Sequence, residues 1–302
     1  MNQPDYLKAG LWMGVSILSF AAMAVAGREL MAELNTFEVM LYRSVVGFVA
    51  ICAVLALRPG GFATIRTAHL GLHLKRNAIH YVGQNLWFFA IGAIPLSQLV
   101  AIEFTNPIWV ALLAPILLAE RLTPAKLIAA LLGFIGVLIV AQPGREPIEA
   151  GHVAAAAAAL AYALNTIFTK QIMRFDRVLC VLFWMTLLQG GASLLLSLPG
   201  GIPVPSTPNL PWVLVVGLTG ITAHYALTSA LAWAPATIVA PMDFARLPIV
   251  ALLGWLLYAE PLSLTVLAGG AVIIVANIVN MRDGLRKGAP APVSAPADPG
   301  GA

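Results

Sequence analysis

Apolar stretches about as long as a bilayer is thick recur along this chain, and charge is held to the links between them. They cover residues 9–27, 37–57, 77–94, 98–119, 124–141, 151–169, 178–198, 211–233, 237–258 and 264–281. Each has about the 17–25 residues that cross a hydrocarbon core as a helix. Lipid offers no partner for backbone N–H and C=O groups, so runs of this kind are helical. Charged residues are 10% of the chain and hydrophobic ones 60%, with a mean hydropathy of +0.89. A soluble domain carries roughly a quarter charged residues. The expectation is an all-α membrane protein with ten transmembrane helices.

The basic residues orient it. With the N-terminus inside, the inner links and ends hold Lys8, Arg58, Arg66, Lys75, Arg76, Arg121, Lys126, Lys170, Arg174, Arg177, Arg282, Arg286 and Lys287. The outer links hold Arg28 and Arg145, while Arg43 and Arg246 fall within spans. An inward excess of Lys and Arg places both termini in the cytoplasm. The high pI is thus a topology signal and not a nucleic-acid footprint. The opening MNQPDYLKAG is too polar for a secretory leader, so the first span is expected to be retained. The Pro/Ala/Gly-rich tail, 288–302, is expected to be disordered and cytoplasmic. Cys52 and Cys180 show neither disulfide nor metal spacing.

The chain repeats itself. Residues 108–123, IWVALLAPILLAERLT, resemble residues 248–263, PIVALLGWLLYAEPLS. At an offset of 140, Val110–Leu113 matches Val250–Leu253, and Ala119-Glu120 matches Ala259-Glu260. Pro95 matches Pro235. Two five-span repeats follow, 9–141 and 151–281. An odd number of spans inverts the second relative to the first, as in transporters whose sites lie between repeats at the midplane. The same offset pairs Glu103 with Asp243 and Asn106 with Arg246. Each fourth helix of a half therefore carries an acid with a polar partner three residues on, along one helical face. Pro107 and Pro248 follow closely, which predicts kinks and two acids offered to a central cavity.

On these residues the chain resembles the drug/metabolite transporter superfamily, EamA type. The AERLT and AEPLS helix ends and the Pro95 and Pro235 turns carry the likeness over about residues 10–282. The resemblance implies ten helices in two inverted halves around a central cavity, and export of small metabolites. Overall likeness points further to bacterial exporters of aromatic amino acids, in the inner membrane.

Ionisable groups inside a span cost about 2.5–3.5 kcal/mol on insertion scales, so they default to function. Asp243 and Arg246 form either a self-neutralising pair or a cavity wall. Glu103 has no base on its own helix, which leaves protonation, pairing with Arg246, or a substrate amine. His80, Tyr81 and Gln84 give the third helix a polar stripe, and His224 does so for the eighth. Asn165 lies on a polar face of the sixth helix. Such stripes serve either as interhelical glue or as cavity lining. Trp109, near Glu103, is an aromatic-wall candidate, whereas the other tryptophans are read as packing or interfacial residues. Glu120 and Glu260 are read as loop anchors.

The combined expectation is a secondary transporter exporting amino acids, aromatic or neutral, by alternating access. Its partners would be a small-molecule substrate and the lipid bilayer, with no nucleic acid, no cofactor and no metal, as a monomer or weak homodimer. The alternative is a proton-coupled drug or polyamine exporter of the same fold. An enzyme is not expected: no HExxH, nucleophile elbow or phosphate loop is present.

Overall fold

A computed structural model describes residues 5–118, 124–142, 147–233, 242–261 and 263–286. Over these residues the chain is helical, and no strand occurs among them. The helices are α1 (Tyr6–Met31), α2 (Thr36–Ala56), α3 (Leu70–Ala93), α4 (Leu96–Glu103), α5 (Asn106–Leu118), α6 (Pro124–Ala141), α7 (Ala150–Ile172), α8 (Val178–Ser197), α9 (Leu210–Trp233), α10 (Arg246–Tyr258) and α11 (Leu264–Arg286). A 3-10 turn, Asp243–Ala245, precedes α10. The tail expected at 288–302 lies outside the described residues.

Local chemistry sets several boundaries. Asp5 caps α1 by accepting from Lys8 N–H. Asn35 and Glu38 form a reciprocal capping box on α2, so Glu38 is spent on its own helix end and not on Arg43. Pro124 opens α6, where a missing N–H costs nothing. Helix α10 stops at Ala259, whose φ of +52° turns the chain into the left-handed region. The N–H groups of Ala259 and Glu260 both return to Gly254 C=O, closing the helix end.

Two expectations about spans change. The third helix starts at Leu70, one to two turns before the apolar run at 77. The fourth is not one helix over 98–119: it breaks at Phe104-Thr105 into α4 and α5. Pro107 has no N–H to give to the carbonyl of Glu103, and Thr105 turns its hydroxyl onto Ile102 C=O, 2.8 Å away. The ninth is regular from Arg246 onward, and 234–241 lies outside the described residues.

Around an apolar core the bundle also buries polar and charged groups, and it leaves large apolar side chains outside. Arg43, Arg76, Asn77, His80, Gln84, Thr186, Gln189 and Arg246 are buried. Leu18, Val49, Leu131, Phe134, Leu195 and Leu256 are exposed. That arrangement suits a solvent of hydrocarbon. Among the described helices, five are long and apolar enough to cross a membrane.

Helices pair mainly between the two halves: α1 with α9, α3 with α7, α2 with α8, α6 with α11, and α4 with α10. Exchanging the halves turns α1–α9 into α7–α3 and leaves the other pairings unchanged. Small residues allow the closest approaches. A Cβ on Gly136 would stand 2.9 Å from Gly269 C=O, and one on Gly269 would stand 2.7 Å from Gly136 C=O. The alanine run of α7 buries Ala154, Ala155, Ala158 and Ala159.

Glu33, in the α1–α2 link, anchors the segment before α9. Its carboxylate accepts from the Asn209 side chain, from Ser206 Oγ at 2.8 Å and from Ser206 N–H at 2.7 Å. These bonds, Asn209's foremost, hold the carboxyl below its ordinary range. A depressed carboxyl stabilises the docked segment above its ordinary pKa and loses that contribution as pH falls through the lowered value. Hydrogen exchange at the Ser206 amide should therefore show more protection than in Glu33→Gln at neutral pH, with the difference closing in acid. A difference that ignores pH would count against this anchor.

Candidate functional site: a charged cluster at a helix break and a 3-10 turn

The break in the fourth helix and the turn before α10 occur at positions related by the offset of 140. Glu103 ends α4 just as Asp243 opens the 3-10 turn, and Asn106 starts α5 just as Arg246 starts α10. The expected kink of the fourth helix is thus a full interruption, whereas Pro248 lies within α10 behind the 3-10 turn. The break brings Glu103 within reach of Arg246 although the two lie on different halves.

Arg246 Nη2 donates to Glu103 Oε1 at 2.9 Å and to Asp243 Oδ2 at 3.0 Å. Of the options open for Glu103, pairing with Arg246 is the one observed. Glu103 Oε2 also accepts from Trp87 Nε1 of α3 at 2.9 Å. The guanidinium lies over Phe20 of α1, 5.1 Å from the ring centroid, and over Phe104 at 5.4 Å. Cation–π contact of this kind is stronger in a dry interior. Arg246 Nε and Asp243 Oδ1 are buried without a hydrogen-bond partner. Two carboxylates thus face one guanidinium, with polar capacity to spare.

A second polar group lies alongside. His80 of α3 and His224 of α9 meet edge to face, with centroids 5.2 Å apart, and Phe20 meets His224 at 5.4 Å. Phe20 therefore touches both groups. Gln189 of α8 places its amide nitrogen 2.8 Å from His80 Nδ1, while its oxygen accepts from Arg43 Nη1 at 3.3 Å. A Gln amide donating to Nδ1 puts the imidazole proton on Nε2. Gln84 stands 3.4 Å from that Nε2, and with its amide turned its oxygen accepts a hydrogen bond from the Nε2–H. Tyr162 of α7 packs 5.9 Å from His80.

The other sequence candidates scatter. Tyr81 turns to α8, where its hydroxyl accepts from Ser193 at 2.9 Å. Asn106 reaches Ala159 C=O on α7 at 3.4 Å, away from Arg246. Asn165 Oδ1, also on α7, is buried and unpartnered. Trp109 is 36% exposed, and the indole bonded to Glu103 belongs to Trp87 instead. Sequence reasoning placed Trp87 among packing residues and passed over Phe20 and Gln189. Their spacing carries no signal, because each joins the cluster from a different helix.

At the opposite end of α10, Glu260 is buried across the interface between the halves. Both its oxygens accept from the first N–H of α4, that of Leu96, at 2.9 and 3.1 Å. A carboxylate at a helix N-terminus is favoured by the unpaired N–H groups there. Arg28 pairs with the same carboxylate and lies over the Tyr258 ring. Tyr258 OH donates to Glu29 Oε1 at 2.9 Å. Glu260 therefore anchors the other half and not its own loop. Glu120, its repeat partner, lies outside the described residues.

An apolar exterior, a helix interrupted at an ionisable residue and charged groups in the interior define a multi-pass membrane protein. The EamA-like transporter family model matches residues 7–142 and 149–282. The chain belongs to that family, and family and relatives alike point to a transporter and not an enzyme. It is 32% identical over 74% of its length to a riboflavin transporter of Brucella anthropi, covering 80% of that protein. A riboflavin transporter of Rhizobium johnstonii is 29% identical over 92% of both chains. An S-adenosylmethionine uptake transporter of Rickettsia felis is 23% identical, covering 90% of this chain and 92% of that one. One solved crystal structure superposes with a TM-score of 0.67, covering 92% of this chain and 98% of the other at 19% identity, a likeness of fold. None of these relatives is named for amino acids or for export.

The cluster should tolerate loss of its charges together better than loss of its cation alone. Arg246→Ala leaves two facing carboxylates in a low dielectric and should destabilise the protein by about 3–5 kcal/mol. Adding Glu103→Gln and Asp243→Asn should recover most of that in a detergent melt. Equal melting of wild type and Arg246→Ala would show that the three charges do not interact.

Proposed function

We propose that this chain is a secondary transporter taking up a neutral, planar heteroaromatic metabolite of the riboflavin class. The observation that carries the reading is the pairing of Arg246 with two carboxylates. The cluster then has no surplus positive charge to offer a substrate carboxylate, which disfavours the amino-acid zwitterion expected from sequence. What the interior offers instead is aromatic faces and neutral hydrogen-bonding atoms. Phe20, Trp87, Tyr162 and the two imidazoles supply the faces. Asn165 Oδ1 and His224 Nε2 supply the atoms. A tricyclic ring with imide and hydroxyl groups uses both. Identity to two riboflavin transporters supports the same class.

A cationic metabolite is the second reading, favoured by two acids against one arginine and by the S-adenosylmethionine relative. The surplus carboxylate also provides a seat for a coupling proton at Asp243 Oδ1.

The mechanism in this reading is alternating access between two inverted five-helix halves, with ten spans and both termini cytoplasmic. The exchange-symmetric pairings and the repeat-related positions of the break at 103–106 and the 3-10 turn at 243–245 support it. The Arg28–Glu260–Leu96 contact then acts as an outer latch, which has to open for substrate to enter from outside.

Proteoliposomes loaded with wild type should accumulate labelled riboflavin saturably, with little S-adenosylmethionine, phenylalanine or spermidine. Glu103→Gln should lower that flux at least tenfold while retaining the wild-type melt. Accumulation of S-adenosylmethionine or spermidine instead would establish the cationic reading, and phenylalanine flux would restore the amino-acid one. For the latch, Phe20→Cys in a background of Cys52→Ser and Cys180→Ser reports from the interior. Adding Glu260→Gln should speed its labelling by an impermeant maleimide from outside severalfold, and unchanged labelling would remove the latch.

A further inference from the structure

A second cluster lies away from the charged breaks, where α3 begins and the α7–α8 turn passes. His73 of α3, Asp176 of that turn and Cys180 of α8 place one nitrogen, one oxygen and one sulfur within 4.8 Å of one another. His73 and Cys180 are fully buried, and the Asp176 side chain is 9% exposed. His73 Nε2 stands 2.8 Å from Asp176 Oδ2, and Thr67 Oγ1 donates to the same oxygen at 2.7 Å.

A histidine–carboxylate brace would need only two of these groups. The third is a thiol whose hydrogen bond to Ile65 C=O is a long 3.6 Å contact. We propose that His73, Asp176 and Cys180 bind a borderline-soft dication of the zinc class, with Thr67 orienting the carboxylate from behind. The donor set suits zinc: imidazole and thiolate favour it over magnesium or calcium, which take oxygen alone. Thiolate and carboxylate together carry the two negative charges that such an ion neutralises. Zn–N and Zn–O bonds of about 2.0–2.2 Å at a tetrahedral angle separate the donors by roughly 3.4 Å, so the His73–Asp176 contact has only to open by about half an ångström.

A fourth position has a route to water. Asp176 also lines an open surface cavity of about 320 Å³ with Thr64, Arg66, Phe175 and Arg177. Arg66 and Arg177 are exposed, so water and salt screen their repulsion of a cation. Arg76, one turn along α3, is turned to Thr169 and Asn77. An ion here would tie the α2–α3 link and α3 of the first half to the α7–α8 turn of the second.

The test is titration of metal-stripped full-length protein in detergent with Co2+, a spectroscopic stand-in for zinc. One equivalent should produce the visible bands of a tetrahedral site and a near-ultraviolet thiolate-to-cobalt charge-transfer band. Zn2+ should displace both. Cys180→Ser should lose the charge-transfer band while Cys52→Ser keeps it, with each variant's melt reporting its folding. Thr67→Val, which removes only the orienting hydroxyl, should weaken binding about 10–100-fold. Wild type with no saturable band, or a band that survives Cys180→Ser, would overturn the site. The readout is spectroscopic, so the proposal stands or falls apart from the transported substrate.

Discussion

Everything in this bundle is arranged around one guanidinium that has to be kept in a medium hostile to charge. Arg246 is 4% exposed, starts a helix in the middle of an apolar run, and is held by carboxylates from both halves. An unpaired ion there would cost several kcal/mol. Asp243 matches its charge, and Glu103 from α4 adds a second carboxylate from the other half at the residue where the fourth helix stops. Trp87 of α3 then holds the second carboxylate oxygen, and Phe20 of α1 covers the cation. Four helices are thereby committed to one point.

The interruptions that supply the charges also supply the freedom. A continuous helix has satisfied its backbone and resists bending, whereas α4–α5 and the turn before α10 have carbonyls released by proline. The closest packing lies elsewhere. Gly136 against Gly269 and the alanine face of α7 against α3 leave little room for side chains between backbones. Rigid pairings beside broken helices at the charged centre suit a protein that moves one group of helices against another. Glu260 joins the halves at the end of α10 through the first N–H of α4. Loss of its bonds exposes a buried carboxylate and an uncapped helix start together.

Much of this was legible in the chain. Span positions, the offset of 140 and the pairing of Glu103 with Asp243 all follow from hydropathy period and self-similarity. Proline at 107 marks where the fourth helix fails, as a full break and not the kink that the sequence predicts, while Pro248 sits inside α10. An acid three residues before Arg246 leaves a self-neutralising pair and a cavity wall both open, and the two side chains do pair. Trp109 was favoured over Trp87 because it is closer to Glu103 in sequence, and the fold reverses that choice. Proximity along a helix says little about proximity across it. The repeated AE-x-L ending looked like local loop chemistry. In the fold Ala259 turns the chain and Glu260 reaches Leu96, far away in sequence.

By itself the sequence determined what is local or periodic: apolar length, helix ends, the internal repeat and the presence of charges that lipid does not tolerate. Each depends on residues within a few turns of one another or on a constant offset. The tertiary structure alone decided which partner each of those charges takes. Glu103 with Arg246 and Trp87, His80 with Gln189 and His224, and His73 with Asp176 and Cys180 join residues from separate helices. The rotation of each helix about its axis chooses among such partners. That rotation is set by packing of glycine and alanine faces between the two halves, which no single segment carries.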